Sequence, residues 1–139
     1  MERSLVLIKP DAMQRRLAGA LISRLEGQGF KLVALRMMHL DKALAAQHYA
    51  IHAGKSFFVD LIDYITSTPI IAMVFEGEGA VEVIRKTMGA TDPAEAEVGT
   101  IRDDFGLDIQ HNVVHGSDSI ETAEKEIILF FTADEIFDY

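Results

Sequence analysis

Pro69-Ile70-Ile71-Ala72-Met73-Val74-Phe75-Glu76-Gly77 is the stretch on which the fold turns. Six apolar residues in a row, bounded by a proline and a glycine, are shorter than a core helix and read as a strand buried on both faces. On its C-terminal side, Gly77 and Gly79 turn the chain into a helix over Ala80–Met88. On its N-terminal side, Asp41 caps a helix running to about Tyr49, and Ser56 caps a second in which Phe57, Leu61 and Ile65 share one face. These two helices form a hairpin that Pro69 closes.

Further out, Leu5-Val6-Leu7-Ile8 is a second buried strand, stopped at Lys9-Pro10-Asp11 by the proline. Leu17, Ala20, Leu21 and Leu25 then recur at helical spacing until Gly27 and Gly29, and Phe30 to Leu40 reads as a strand ending before Asp41. Beyond Met88, Thr91-Asp92-Pro93 opens an irregular segment reaching about Gln110, with Pro93 at the first position of a short helical turn. A loop that long in a small domain is usually functional. Asn112-Val113-Val114-His115 makes a last strand, and Gly116-Ser117-Asp118 turns it into a helix with Ile120, Ala123, Ile127 and Phe131 on its apolar face. Asp118 with Glu121 is predicted to form a capping box there, and Thr132 with Glu135 a second one. Two βαβ units around a four-stranded antiparallel sheet make an α/β (α+β) sandwich of ferredoxin-like βαββαβ type, with the helical hairpin and the long loop as insertions.

The bulk properties fit one globular domain over residues 1–139, with 49% hydrophobic and 25% charged residues. A formal charge of −9 argues against a broad surface for nucleic acid or anionic lipid. The longest apolar run is far below the ~20 residues that span a bilayer, and no signal peptide precedes the first strand, so no membrane association and a cytoplasmic location are expected. Zero cysteines exclude disulfides, thiolate catalysis and cysteine metal sites. A compact anionic ligand would need a local gathering of some of the 13 lysines and arginines.

Common nucleotide and hydrolase devices are missing. No G-x-x-x-x-G-K-[ST] occurs, and Gly77-Glu78-Gly79 does not extend into a dinucleotide fingerprint. His48 and His52 have zinc-protease spacing but lack the glutamate, and no third ligand lies nearby in sequence. His115 stands out by its setting, at a strand end before Gly116, where a glycine lets the backbone approach a substrate and a neutral imidazole can act as nucleophile. Lys9 after the first strand, and Arg85, Thr91 and Arg102 around the long loop, carry donors suited to phosphate oxygens, although each alone reads as a terminator or a solvated charge.

Asn112-Val113-Val114-His115-Gly116-Ser117-Asp118 closely resembles the N-x-x-H-G-S-D signature of the nucleoside diphosphate kinase family. Ile8-Lys9-Pro10-Asp11, Gln14-Arg15, His48-Tyr49, Phe57-Phe58, Thr91-Asp92-Pro93-Ala94, Gly99-Thr100-Ile101-Arg102 and Ala123-Glu124-Lys125-Glu126 follow the family's order, so the resemblance runs essentially from end to end.

The resemblance implies that His115 takes the γ-phosphate of a nucleoside triphosphate, mainly ATP, and passes it to a nucleoside diphosphate in a ping-pong reaction. It implies that Arg85, Thr91 and Arg102 hold the phosphates with Mg²⁺, which is carried mainly by the phosphates rather than by protein ligands. Lys9 and Asn112 are expected at the sugar hydroxyls, with Lys9 and Tyr49 also near the transferred group. Glu126, with Ser117, is expected to orient the His115 ring, His52 to contact phosphate, Phe57 to stack on the base and Leu61 to line the nucleotide site. A homo-oligomer, tetramer or hexamer, is implied as well. Ser56, Thr68, Val98 and Gln110-His111 depart from residues frequent in the family, and none of these changes removes a catalytic group. A phosphohistidine module acting on a protein partner would have no need of Lys9, Phe57 and Asn112. A non-catalytic assembly protein would have no need of His115 and Glu126.

Overall fold

The computed structural model describes all residues, Met1–Tyr139. Its centre is a four-stranded antiparallel sheet in the order β2-β3-β1-β4, formed by β1 (Glu2–Ile8), β2 (Lys31–Met38), β3 (Ile70–Gly77) and β4 (Val114–Gly116). The two most apolar runs pair in the middle, in a register that sets Leu5 opposite Val74 and Ile8 opposite Ile71. Alternate residues of these strands feed two separate cores. Leu5, Leu7, Ala72 and Val74 face one, and Val6, Ile8, Met73 and Phe75 the other. Both faces are therefore covered, which is why β1 and β3 show continuous apolar runs rather than a polar-apolar alternation.

Helices supply the outer layers of this ferredoxin-like sandwich. In chain order they are α1 (Pro10–Gln14), α2 (Ala18–Glu26), α3 (Lys42–His48), α4 (Phe58–Ile65), α5 (Ala80–Met88), α6 (Ile101–Phe105) and α7 (Ile120–Phe130). Ala45 of α3, Ile62 and Ile65 of α4, and Ile127 and Phe130 of α7 close the first core. Leu21 and Leu25 of α2, Ile84 and Met88 of α5, and Ile101 of α6 close the second. Each large side chain removed from water contributes about 1.5–3 kcal/mol.

Local signals explain most boundaries. Asp41 caps α3 by accepting from Leu44 N at 2.7 Å, and Glu135 Oε1 accepts from Thr132 N at 2.8 Å in the expected capping box. Four expectations need correction. Pro10 does more than stop β1: it occupies the first turn of α1, where its missing N–H is no loss. Ser56 does not cap α4. Phe57 holds that position and Phe58 N bonds back to the Lys55 carbonyl at 3.1 Å, so a tight backbone turn satisfies the helix start. Ser119, not Asp118, caps α7 by accepting from Thr122 N at 3.1 Å. Finally, the long loop is not all irregular: besides the 3₁₀ turn Pro93–Glu95 it contains α6, capped by Thr100.

Candidate active site

The site is built where the C-terminal end of β1 meets β4. Strand β4 starts at Val114, two residues later than expected, because Val113 has φ 64°. Val114 N bonds to the Asn112 carbonyl at 2.8 Å, which makes a γ-turn around Val113. A β-branched residue held in this region costs on the order of 1–3 kcal/mol. Three contacts hold it there. Val113 N donates to Asp11 Oδ2 at 3.1 Å, the Val113 carbonyl accepts from Lys9 N at 3.0 Å, and Asp11 is itself gripped by the Tyr64 hydroxyl.

This turn presents Asn112 to Lys9. Lys9 Nζ donates to Asn112 Oδ1 at 2.7 Å and to the Gln110 carbonyl at 2.8 Å, while Asn112 Nδ2 donates to the Thr91 carbonyl at 2.9 Å. Lys9, Thr91 and Asn112, far apart in sequence, are thus one unit. Burial lowers the Lys9 pKa to about 8, with Asp11 opposing the shift and Arg102 adding to it.

His115 lies in β4 with its side chain 21% exposed. Its Nε2 is 3.2 and 3.1 Å from the two carboxylate oxygens of Glu126 on α7, and Ser117 Oγ donates to Glu126 Oε1 at 2.6 Å. Burial works against ionisation of Glu126, but hydrogen bonds from His115 and Ser117 and the nearby imidazoles hold its pKa below the ordinary value. A carboxylate can only accept, so the proton of a neutral His115 ring belongs on Nε2. The Nδ1 lone pair is then left free to attack an electrophile. Ser117 Oγ also accepts from Leu5 N at 3.2 Å, which ties this orienting pair to the central strand.

Two arginines frame the histidine from behind. Arg102 donates to the carbonyls of Asn112, Gly89 and Val114 at 3.3, 3.0 and 2.7 Å. Arg85 donates to the Gly116 carbonyl at 3.2 Å and pairs with Asp118 at 2.8 Å. The residues on either side of His115 therefore each hold a guanidinium by their carbonyl. Arg102 is buried and its pKa falls to about 10, first through that burial and then through the charge of Arg85. Three bonds to backbone leave part of its donor set unused. Gly116 makes room for helix α5 rather than for a substrate: a Cβ there would meet Met88 Sδ at 2.6 Å.

The helical hairpin contributes a row of rings. Tyr49 and His52 lie 6.3 Å apart between centroids, and His52 and Phe57 5.3 Å apart. Phe57 is 47% exposed, whereas Tyr49 is buried and its hydroxyl is pushed toward the neutral form. Lys55 Nζ sits 5.7 Å from the Phe57 ring and 3.3 Å from His52 Nδ1. Leu61, a turn beyond Phe57, packs half-buried against the first core.

Sequence reasoning set His48 aside, yet the structure puts it beside His115. Its ring meets that of His115 edge-on, at 4.7 Å and 80°, and its Nδ1 is 3.6 Å from Glu126 Oε2. The side chain is 1% exposed, packs against Tyr49 and Phe130, and neither ring nitrogen has a hydrogen-bond partner. Burial, aided by His115, lowers its pKa to about 3 and keeps it neutral. The available signal was helical spacing: Leu44, Ala45 and His48 share the inward face of α3.

An imidazole oriented by a buried carboxylate, with two guanidiniums and a lysine converging nearby, is the equipment of a phosphoryl-transfer site. The family model of nucleoside diphosphate kinase matches residues 2–136. The nucleoside diphosphate kinase of Dehalococcoides mccartyi (strain ATCC BAA-2100 / JCM 16839 / KCTC 5957 / BAV1) is 56% identical over 139 residues, covering all of this chain and 98% of that protein. A halophilic nucleoside diphosphate kinase from Halobacterium salinarum, solved in complex with CDP, has a TM-score of 0.97 at 48% identity and covers 99% of this chain and 92% of its own. The Aquifex aeolicus enzyme has a TM-score of 0.95 at 37% identity, over 98% of this chain and 99% of that one. The chain belongs to the nucleoside diphosphate kinase family.

Proposed function

We propose that this enzyme's nucleoside diphosphate kinase reaction runs through His115 Nδ1, in one catalytic domain spanning residues 1–139. The observation that carries this reading is the contact of His115 Nε2 with Glu126 at 3.1 Å, which leaves Nδ1 as the free nucleophile. In the first half-reaction the Nδ1 lone pair attacks the γ-phosphorus of a nucleoside triphosphate, mainly ATP. The bond from that phosphorus to the bridging oxygen breaks, and the electron pair leaves with the nucleoside diphosphate. The ring keeps its Nε2 proton and gains positive charge, which the Glu126 carboxylate balances. In the second half-reaction a terminal oxygen of another nucleoside diphosphate attacks the phosphohistidine, and Nδ1 recovers its lone pair. One pocket serves donor and acceptor in turn, so the kinetics are ping-pong.

Lys9, Thr91, Arg85 and Arg102 bind the phosphates, with Lys9 and Asn112 also holding the ribose hydroxyls. His52 contacts phosphate, and Tyr49, like Lys9, lies near the transferred group. Phe57 stacks on the base, with Leu61 beside it, and a stacking face shared by all bases permits broad nucleotide use. The donor set suits a cation that arrives on the phosphates. The one close group of metal-capable side chains is His48, His115 and Glu126, and no cage of oxygen ligands converges there. Mg²⁺, when bound with the nucleotide beside Arg85, Thr91 and Arg102, would offset the charge of the phosphates.

No helix is long and apolar enough to cross a membrane, and we place the enzyme in the cytoplasm, where it maintains nucleoside and deoxynucleoside triphosphate pools. Leu35 and Met37 are exposed apolar side chains on the outer strand β2, which supports a homo-oligomer; light scattering distinguishes tetramer from hexamer. The function is tested by incubating the protein with ATP, Mg²⁺ and GDP. GTP and an acid-labile phosphoprotein are expected, both absent in His115→Ala. GTP formation by that variant would refute the assignment.

A further inference from the structure

The geometry points to a second role for the catalytic cluster: His48, Glu126 and His115 form a site for a borderline-soft divalent ion of the zinc class, whose binding switches the nucleophile off. The ligand-bearing atoms of these three side chains all lie within 4.8 Å of one another. Two of the gaps, 3.1 Å between His115 Nε2 and Glu126 Oε2 and 3.6 Å between His48 Nδ1 and Glu126 Oε2, already suit donors around one ion. With metal–donor bonds of ~2.0–2.2 Å, tetrahedral donors sit roughly 3.4 Å apart. The His48 to His115 gap is the only one that must close, by about 1.4 Å at most.

Two observations favour a ligand here over a merely tight core. His48 is buried with both ring nitrogens unpartnered, a cost that an apolar ring in the same place would avoid. Glu126 is already set by the 2.6 Å bond from Ser117, the kind of outer contact that orients a ligating carboxylate. Two imidazoles and one carboxylate with a fourth position left for water match zinc's preference, whereas Mg²⁺ favours oxygen ligands and does not compete. The ion enters past His115, whose side chain is 21% exposed. His48 has no carboxylate behind its second nitrogen, which lowers affinity by roughly 10–100-fold relative to a fully supported site.

The chemistry of inhibition follows from the tautomer. Coordination at Nε2 displaces the proton that faces Glu126, and a neutral ring bound through Nε2 carries its proton on Nδ1. The Nε2 proton is released and one is taken up at Nδ1, so the net proton count is unchanged while the attacking lone pair disappears. This consequence rests on the reading of His115 as nucleophile; binding of the ion does not.

The test uses Co²⁺ as a spectroscopic probe and Zn²⁺ as inhibitor on the full chain. One Co²⁺ per chain with the strong visible absorption of a four-coordinate ion is expected, displaced by Zn²⁺. Micromolar Zn²⁺ is expected to slow GTP formation at least 10-fold in excess Mg²⁺. In His48→Phe the Zn²⁺ concentration for half-inhibition, measured against that variant's own zinc-free rate, is expected to rise at least 10-fold. Should that variant not fold, ring-nitrogen NMR of wild-type protein labelled in histidine serves instead. Zn²⁺ should shift His48 and His115 together and move the His115 proton to Nδ1. Absence of the Co²⁺ band, unchanged inhibition in His48→Phe, or shifts confined to His39, His52 and His111 overturns the site. If Co²⁺ binds through His48 but GTP never forms without zinc, the kinase assignment fails and the metal site stands.

Discussion

Replacing Glu126 by glutamine keeps the side-chain volume and removes only the charge. The carboxylate accepts from Ser117 at 2.6 Å and faces His115 Nε2 at 3.1 and 3.2 Å, so two charge-assisted contacts become neutral ones. Charge-assisted hydrogen bonds contribute about 1.5–3 kcal/mol and neutral ones about 0.5–1.5, a difference of roughly 1–1.5 kcal/mol per contact. The His115 contact strengthens as the ring acquires charge in the transition state. The Ser117 contact is the same before and during the reaction, so only the His115 contact counts, and the barrier should rise by about 1–1.5 kcal/mol, roughly 5- to 13-fold in the rate of phosphohistidine formation. Glu126 makes no contact reserved for nucleotide, so KM should move by less than about threefold.

Ser117 makes the prediction sharper. In Glu126→Gln the new amide can donate to Ser117 Oγ and keep its oxygen toward His115, which preserves the productive tautomer. Without the serine the amide is free to turn its NH₂ toward Nε2, which puts the ring proton on Nδ1. A comparable carboxylate-to-amide change in serine proteases costs ~10⁴-fold. Ser117→Ala/Glu126→Gln should therefore be slower than the product of the single effects. Rapid-quench single turnovers with excess enzyme and labelled ATP measure the step directly, and a melting curve checks that each variant is folded. A Glu126→Gln rate within threefold of wild type, or a loss confined to KM, would refute the orienting role.

Lys9 provides a test by pH. With its pKa lowered by burial to about 8, kcat/KM for ATP should fall above that pH as the charge is lost, and Lys9→Met should lack this limb. The same shift makes charged Lys9 a cost to the fold below pH 8, so stability should rise from pH 8 toward 10.5 in wild type and stay flat in Lys9→Met, as read by thermal melts. Phe57→Ala should weaken nucleotide binding by about 1–3 kcal/mol with little effect on melting, and calorimetry showing unchanged affinity would count against stacking. Arg16, exposed at φ 61°, should melt a few degrees higher as glycine, because relief of the left-handed strain is worth about 1 kcal/mol.

Much of the fold was legible because its strands carry local signals. Ile70–Phe75 and Leu5–Ile8 read as buried strands since each of their faces meets a core, and Gly79 marks the start of α5. The misreadings share a cause. Short elements give too few residues for a period to show: α1 and α6 have five residues each, and α6 buries only Ile101 and Arg102. Asp118 is as good a cap on paper as Ser119, but it is drawn to Arg85 on a neighbouring helix, a partner that no local spacing reveals.

The site shows the same division at finer scale. An extended Asn112–His115 segment would send Asn112 and His115 to opposite faces, because side chains alternate along a strand. The γ-turn at Val113 breaks that alternation, so Asn112 can reach Lys9 while His115 keeps its place on β4 opposite Leu7. What stabilises the turn is Asp11, 102 positions away from Val113, itself held by Tyr64. His48 is a similar case. Helical spacing buries it, but only the packing of α3 against α7 makes it a neighbour of His115 and Glu126. Residue types that can carry phosphate chemistry are visible one at a time along the chain. The proposed His115 tautomer, with Nδ1 free, depends on contacts among three separate elements, β1, β4 and α7, and so becomes visible only once they are assembled.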